Sequence, residues 1–180
     1  MRTHDTLDDN LREWIAAQHV FFVASAPTDT DGHVNLSPKG YDSFRVLDDS
    51  TVAYLDLTGS GVETIAHVNE NGRLTLMFCG FEGPPRILRL FGRGEVVRPG
   101  DDDFDALVGQ FPALPGVRSV IRCHLDRIQS SCGYSVPFMD FVSERETLTD
   151  WAARKGPDGI EEYHAEKNLV SIDGLTGLPT

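Results

Sequence analysis

Between residues 20 and 128 the chain runs through short apolar stretches rich in Val, Leu, Ile and Phe, each bounded by Gly, Pro, Asp or Ser. Stretches of that length and composition are strands rather than helices. Residues 20–26 form the first, Asp29-Thr30-Asp31-Gly32 makes a hairpin loop, and residues 33–39 return. Thr51–Leu57 follows the turn signal Asp48-Asp49-Ser50, residues 73–78 and Ile87–Val97 flank the loop 80–85, and residues 117–128 supply the sixth strand. Too few helices intervene for an alternating βαβ sheet. The pattern therefore predicts a mainly β fold with flanking helices, a six-stranded antiparallel barrel.

The flanking helices have their own signals. Leu7, Leu11, Trp14 and Ile15 recur at helical spacing behind Thr6 as N-cap, which predicts a helix over 7–18 lying on the sheet. Ser60-Gly61-Val62-Glu63 has the spacing of a capping box, and Asn71-Gly72 ends the helix it opens. Phe104, Leu107, Val108 and Phe111 suit another short helix. Ser143 and Glu146 repeat the capping spacing ahead of Leu148 and Trp151, Asp158 is placed to cap a last helix towards Lys167, and residues 171–180 read as loop. At 180 residues one domain is expected over 1–180, with the barrel at about 20–131 and a C-terminal helical extension at about 143–180.

Charge removes several function classes. The formal net charge is −12, with acidic residues gathered in turns such as Asp101-Asp102-Asp103, a field that repels phosphate backbones and anionic membranes. Neither nucleic acid nor a membrane is an expected partner. The N-terminus turns acidic at once and no apolar stretch is long enough to span a bilayer, so a cytoplasmic location is expected. Cys79, Cys123 and Cys132 form no C-x-x-C pair, which suits a reducing compartment. Cys123 and His124 are neighbours on a strand and point to opposite faces, so no metal site is expected there. Neither a Walker loop nor a G-x-S-x-G elbow is present.

Two segments remain as candidates for binding. Alternation puts His33, Asn35, Ser37 and Lys39 on one face of a strand, either lining a ligand or facing solvent, with Pro38 hinting at an edge. Thr58-Gly59-Ser60-Gly61 opens a helix directly after a strand, where free amides and the positive dipole end can hold an anion, or where the helix is simply capped. Arg86, Arg89 and Arg93 gather cationic side chains near a third strand. Arg89 lies inside an apolar run and needs an anionic partner, a ligand phosphate or a carboxylate.

In order and spacing, residues 33–40, Thr51–Leu57, residues 60–69 and residues 89–97 resemble the pyridoxamine 5′-phosphate oxidase-like flavoproteins, a likeness covering about residues 20–97. Residues 131–137 and the segment around Glu166-Lys167-Asn168 are similar to a branch of that superfamily known mainly by its flavin fold. The resemblance implies an FMN-binding split barrel that dimerises, with FMN in a groove shared by both subunits. It makes Ser37, Pro38 and Lys39 candidate contacts to the flavin ring and ribityl chain, and Thr58, Ser60 and Thr64, with Lys39 or Arg89 adding charge, candidates for the phosphate. The oxidase's Ser-Arg-Lys phosphate clamp is replaced by Gly59-Ser60-Gly61, a departure that argues against pyridoxamine phosphate as substrate. The expected activity is an FMN-dependent oxidoreductase acting on an unassigned small molecule or electron donor, with no general acid or base identified. FAD, deazaflavin or haem are alternative ligands, and non-catalytic flavin or haem storage is the alternative function.

Overall fold

In the computed structural model, which describes residues 1–178, the elements are β1 (Arg2–His4), α1 (Asp9–Ala16), β2 (Phe21–Ser25), β3 (Asn35–Lys39), β4 (Phe44–Val46), β5 (Thr51–Leu57), α2 (Glu63–Asn71), β6 (Arg73–Cys79), β7 (Ile87–Val97), α3 (Phe104–Val108), β8 (Val117–Ser131) and α4 (Thr147–Lys167). All six expected strands form, and β1 and β4 bring the count to eight. These two are three residues long, too short to show an alternation in sequence. Every pairing is antiparallel, in the order β3-β2-β6-β7-β8-β5-β4, with β1 beside the far half of β8.

The sheet curls into a half-barrel because twisted strands accumulate curvature and because β8 is bent by two irregularities. One lies at Asp126, where Phe91 pairs with Arg127 but Gly92 with Leu125. Parity along β8 changes there: Ile128 faces inward on one side of the bulge, Cys123 and Ile121 on the other. The second lies at Arg118, passed over between the pairs Asp56–Ser119 and Leu57–Val117.

The concave face carries the larger core: Phe21 and Val23 of β2, Val52 and Tyr54 of β5, Leu74, Leu76 and Phe78 of β6, Leu88 and Leu90 of β7, and Ile121 and Cys123 of β8. Two helices close it. α1 contributes Leu11 and Ile15, α2 contributes Ile65 and Val68, each burial being worth about 1.5–3 kcal/mol. A smaller core on the convex face joins Ala53, Leu55, Val97 and Val120 to Leu107 of α3 and to Phe111.

Several local expectations change. Asp8, not Thr6, caps α1, its carboxylate accepting from the Leu11 amide at 2.9 Å. Neither S-x-x-E pattern forms a capping box: α2 starts behind Val62 and α4 behind Glu146, both without a side-chain cap. α2 does end at Gly72, whose φ of 71° is the left-handed cap that a side chain would strain. Gly156, with φ 68° and ψ 175°, breaks α4 just before Pro157, so the second half restarts there rather than at Asp158. The tail is not plain loop, since Val170 bridges Thr176; residues 179 and 180, at its end, lie outside the described residues.

Candidate functional site

Asp56 is one carboxylate in an otherwise nearly apolar strand, and its inward position leaves it 1% exposed. A charge so placed needs partners. The bulge at Arg118 supplies one: its Nε donates to Asp56 Oδ2 at 2.8 Å, and Ser119 Oγ donates to the same oxygen at 3.3 Å. From the edge strand β3, Lys39 Nζ approaches Asp56 Oδ1 to 3.6 Å. Burial pushes the Asp56 carboxyl up, but Arg118 and Lys39 outweigh it and hold the group below the usual carboxylate range. Asp56 is therefore ionised and shared between two cations.

Around this triad lie unpaired polar atoms. Asp56 Oδ1, the Tyr54 hydroxyl and the Ser37 hydroxyl are buried without a hydrogen-bond partner among the described residues. Burial, and then the charge of Asp56, raise the Tyr54 pKa well above its ordinary value, so it remains a neutral phenol. Lys39 Nζ stands 5.9 Å from the centre of its ring.

The segment after β5 is held from the C-terminal side. Thr58 Oγ1 donates to the Gly116 carbonyl at 2.8 Å, which uses its single proton, and so accepts from His164 Nε2 at 2.8 Å. Burial, followed by Arg118, lowers the His164 pKa, in keeping with a neutral ring bearing its proton on Nε2. Beyond Thr58, Asn168 Nδ2 donates to the carbonyls of Gly59 at 3.0 Å and Ser60 at 3.4 Å, and Arg118 donates to that of Gly61 at 2.9 Å. The same Arg118 nitrogen donates to Asn168 Oδ1 at 2.9 Å. None of the backbone N–H groups from Gly59 to Ile65 donates to another group among the described residues. The carboxylate of Glu63 folds back alongside Gly61, where a Cβ on residue 61 would strike it.

These contacts bring most of the expected residues into one cluster. Ser37 and Lys39 face inward with Asn35, which donates to Thr64 Oγ1 at 2.9 Å; Ser60 is exposed at the loop, and Thr58 lies beneath it with its hydroxyl turned towards α4. His33 precedes β3 and pairs with Asp173 at 2.7 Å. Pro38 and Arg89 lie elsewhere. The register runs Pro38, Phe22, Met77, Arg89, Gln129 across the sheet, so both occupy the convex face. Arg89 is half-buried and bonded to Ser131 Oγ at 3.4 Å, with no carboxylate in salt-bridge range among the described residues. Arg86 stacks over Trp14 and Arg93 donates to the Asn71 carbonyl.

Sequence reasoning passed over Tyr54, Asp56, Arg118, His164 and Asn168. Asp56 left a signal, a lone carboxylate in a buried-looking strand, and Asn168 lies in a segment that carried the family likeness. Chemically the site combines a run of free amides, a fixed ammonium and a neutral phenol. That set suits a ligand with an anionic end and a polar, flat body.

A family model described as pyridoxamine 5′-phosphate oxidase matches residues 7–132. The chain is 41% identical over 194 residues to the pyridoxamine 5′-phosphate oxidase family protein ustO of Aspergillus flavus, covering 97% of this chain and 77% of that protein. Among solved structures, HupZ of Group A Streptococcus aligns with TM-score 0.54 at 23% identity, covering 74% of this chain and 98% of HupZ. A putative pyridoxamine 5′-phosphate oxidase of Lactobacillus delbrueckii aligns with TM-score 0.54 at 19% identity, covering 72% and 99%. A protein of Mycobacterium smegmatis described as FAD-binding aligns with TM-score 0.50 at 15% identity, covering 70% and 95%. These structural likenesses concern the fold.

Proposed function

The chain belongs to the pyridoxamine 5′-phosphate oxidase family, and from that premise we propose that it is an FMN-dependent oxidoreductase whose flavin phosphate sits at the Gly59–Gly61 loop. The observation that carries this reading is the set of free amides from Gly59 to Ile65, joined through Arg118, Asp56 and Lys39 to the inner face of β3. A helix start with unpaired N–H groups attracts an anion. The FAD-binding description of the M. smegmatis protein supports a flavin as the ligand class.

The residues present fit that ligand. Ser37 and Tyr54 offer unused hydroxyls, and Lys39, held by Asp56, offers a fixed positive charge to the polar edge of a ring lying along β3. Glu63 and Asp56 formally balance Lys39 and Arg118, so backbone dipoles rather than net charge carry the attraction for phosphate. A bound flavin supplies hydride or electron transfer, while the protein fixes its orientation and electrostatics. Two copies share each site in this reading: Arg89 and Pro38, on the convex face, serve the groove of the partner.

The deciding measurement is a visible absorption spectrum of protein purified without added cofactor, with the released chromophore identified. We expect FMN in the protein and its reduction by a nicotinamide nucleotide. A colourless protein that ignores micromolar FMN refutes the binding reading. Bound flavin that no donor reduces and no acceptor reoxidises refutes the catalytic one.

A further inference from the structure

We infer that the C-terminal segment, through Asn168 and His164, is the positioning element that turns the Gly59–Gly61 loop into a phosphate receptor and so sets the preference for a phosphorylated flavin; this rests on the reading that the phosphate lies at that loop. In a planar trans peptide the carbonyl of one residue and the amide of the next point in opposite directions. Asn168 Nδ2 draws the carbonyls of Gly59 and Ser60 to one side, and Arg118 draws that of Gly61 the same way. The amides of Ser60, Gly61 and Val62 are thereby turned to the other side, and none of them donates to a group among the described residues. Consecutive amides sharing a side form an anion-binding nest.

Those carbonyls accept no other hydrogen bond among the described residues. The capping-box geometry that Ser60 and Glu63 could form is absent, and the two glycines leave the loop free to adopt other shapes. Asn168 is fully buried, and its own backbone is fixed by bonds to His164 and Leu178. It is held between Arg118 and the loop. One helical turn earlier, His164 holds Thr58, so the extension grips the loop at both its root and its crown. A buried asparagine with both amide ends engaged in this way acts on the ligand through the loop. It is a positioning residue, not a contact.

The test compares FMN with riboflavin, which lacks only the phosphate, on Asn168→Asp, Asn168→Ala and His164→Ala, with binding measured by flavin fluorescence and folding by thermal unfolding. Wild type should bind FMN more tightly than riboflavin. Asn168→Asp keeps the acceptor facing Arg118 and loses the donor to the carbonyls. It should weaken FMN by about tenfold, the scale of one or two hydrogen bonds, and leave riboflavin within twofold. His164→Ala, at a half-buried position, keeps the test in force if both Asn168 variants fail to fold, with an FMN-selective loss of about threefold. FMN and riboflavin weakened equally, or FMN unchanged in folded variants, overturns the positioning role. Wild type that binds riboflavin as tightly as FMN overturns instead the placement of the phosphate at this loop.

Discussion

Replacing Asp56 by Asn removes a single buried charge at nearly constant volume. The substitution leaves the Arg118 guanidinium, whose side chain is 5% exposed, without its carboxylate. Breaking a buried ion pair in this way costs about 3–5 kcal/mol. Two features place Asp56→Asn at the lower end. Arg118 keeps its bonds to the Gly61 carbonyl and Asn168, and Lys39, 22% exposed, can turn to water. We therefore expect a loss of about 3 kcal/mol at pH 7, or about 6–12 °C in Tm for a chain of this size. The pH dependence gives an independent check. The folded pKa of Asp56 lies below its unfolded value. Its contribution is thus fully present above the unfolded pKa of about 3.9 and is lost as pH falls through the folded pKa. The gap between wild type and variant, followed by urea unfolding, should be constant from neutral pH down to about pH 5, begin to narrow near pH 4 and go on narrowing as pH falls through the folded pKa. A loss under about 1 kcal/mol, or a gap that stays open in acid, would refute the buried, ionised triad.

Two further outcomes test the loop and the sheet. Glu63→Gln removes the carboxylate beside Gly61 and should tighten FMN binding two- to fivefold by calorimetry. It should also lower stability by about 0.3–1 kcal/mol, because Glu63 lies in the first turn of α2; unchanged or weaker binding would contradict an anion at this loop. Gly92→Ala places a methyl group against the backbone carbonyl of His124 at the bulge between β7 and β8. Backbone there cannot give way cheaply, so we expect a destabilisation of about 3 kcal/mol in chemical denaturation, the upper part of the usual overpacking range; a loss below about 1 kcal/mol would show that the two strands can separate locally.

Strand identities were legible because alternation and turn chemistry act within a few residues. The run Thr51–Leu57, the hairpin loop before His33 and the helix end at Gly72 each specify their local geometry unaided. The face shared by Ser37 and Lys39 followed from the same rule, and β3 keeps strict period two over Asn35–Lys39. The order of motifs also led to the family. Caps were read less well. Thr6 and Ser60 have the right chemistry at the right spacing, but side-chain capping bonds are worth only about 1 kcal/mol and yield to longer-range contacts. Asp8 is the cap that forms on α1, while at Ser60 the backbone follows Asn168 instead.

The amino-acid sequence by itself determined an antiparallel β fold, its helical covers and the two segments that line the candidate site. Tertiary structure decided which charges meet and on which face. Asp56 and Arg118 are 62 positions apart, and Gly59 and Asn168 are 109 apart; no periodicity relates them. Charge alone groups Arg89 with Lys39, yet strand register sets it on the opposite face, because side-chain direction depends on pairing across four strands rather than on composition. The bulges at Arg118 and Asp126 have the same origin. Each inserts one residue into a ladder and changes the facing of those that follow, and at Arg118 the inserted residue is held by Asp56, Gly61 and Asn168, which folding brings from elsewhere in the chain.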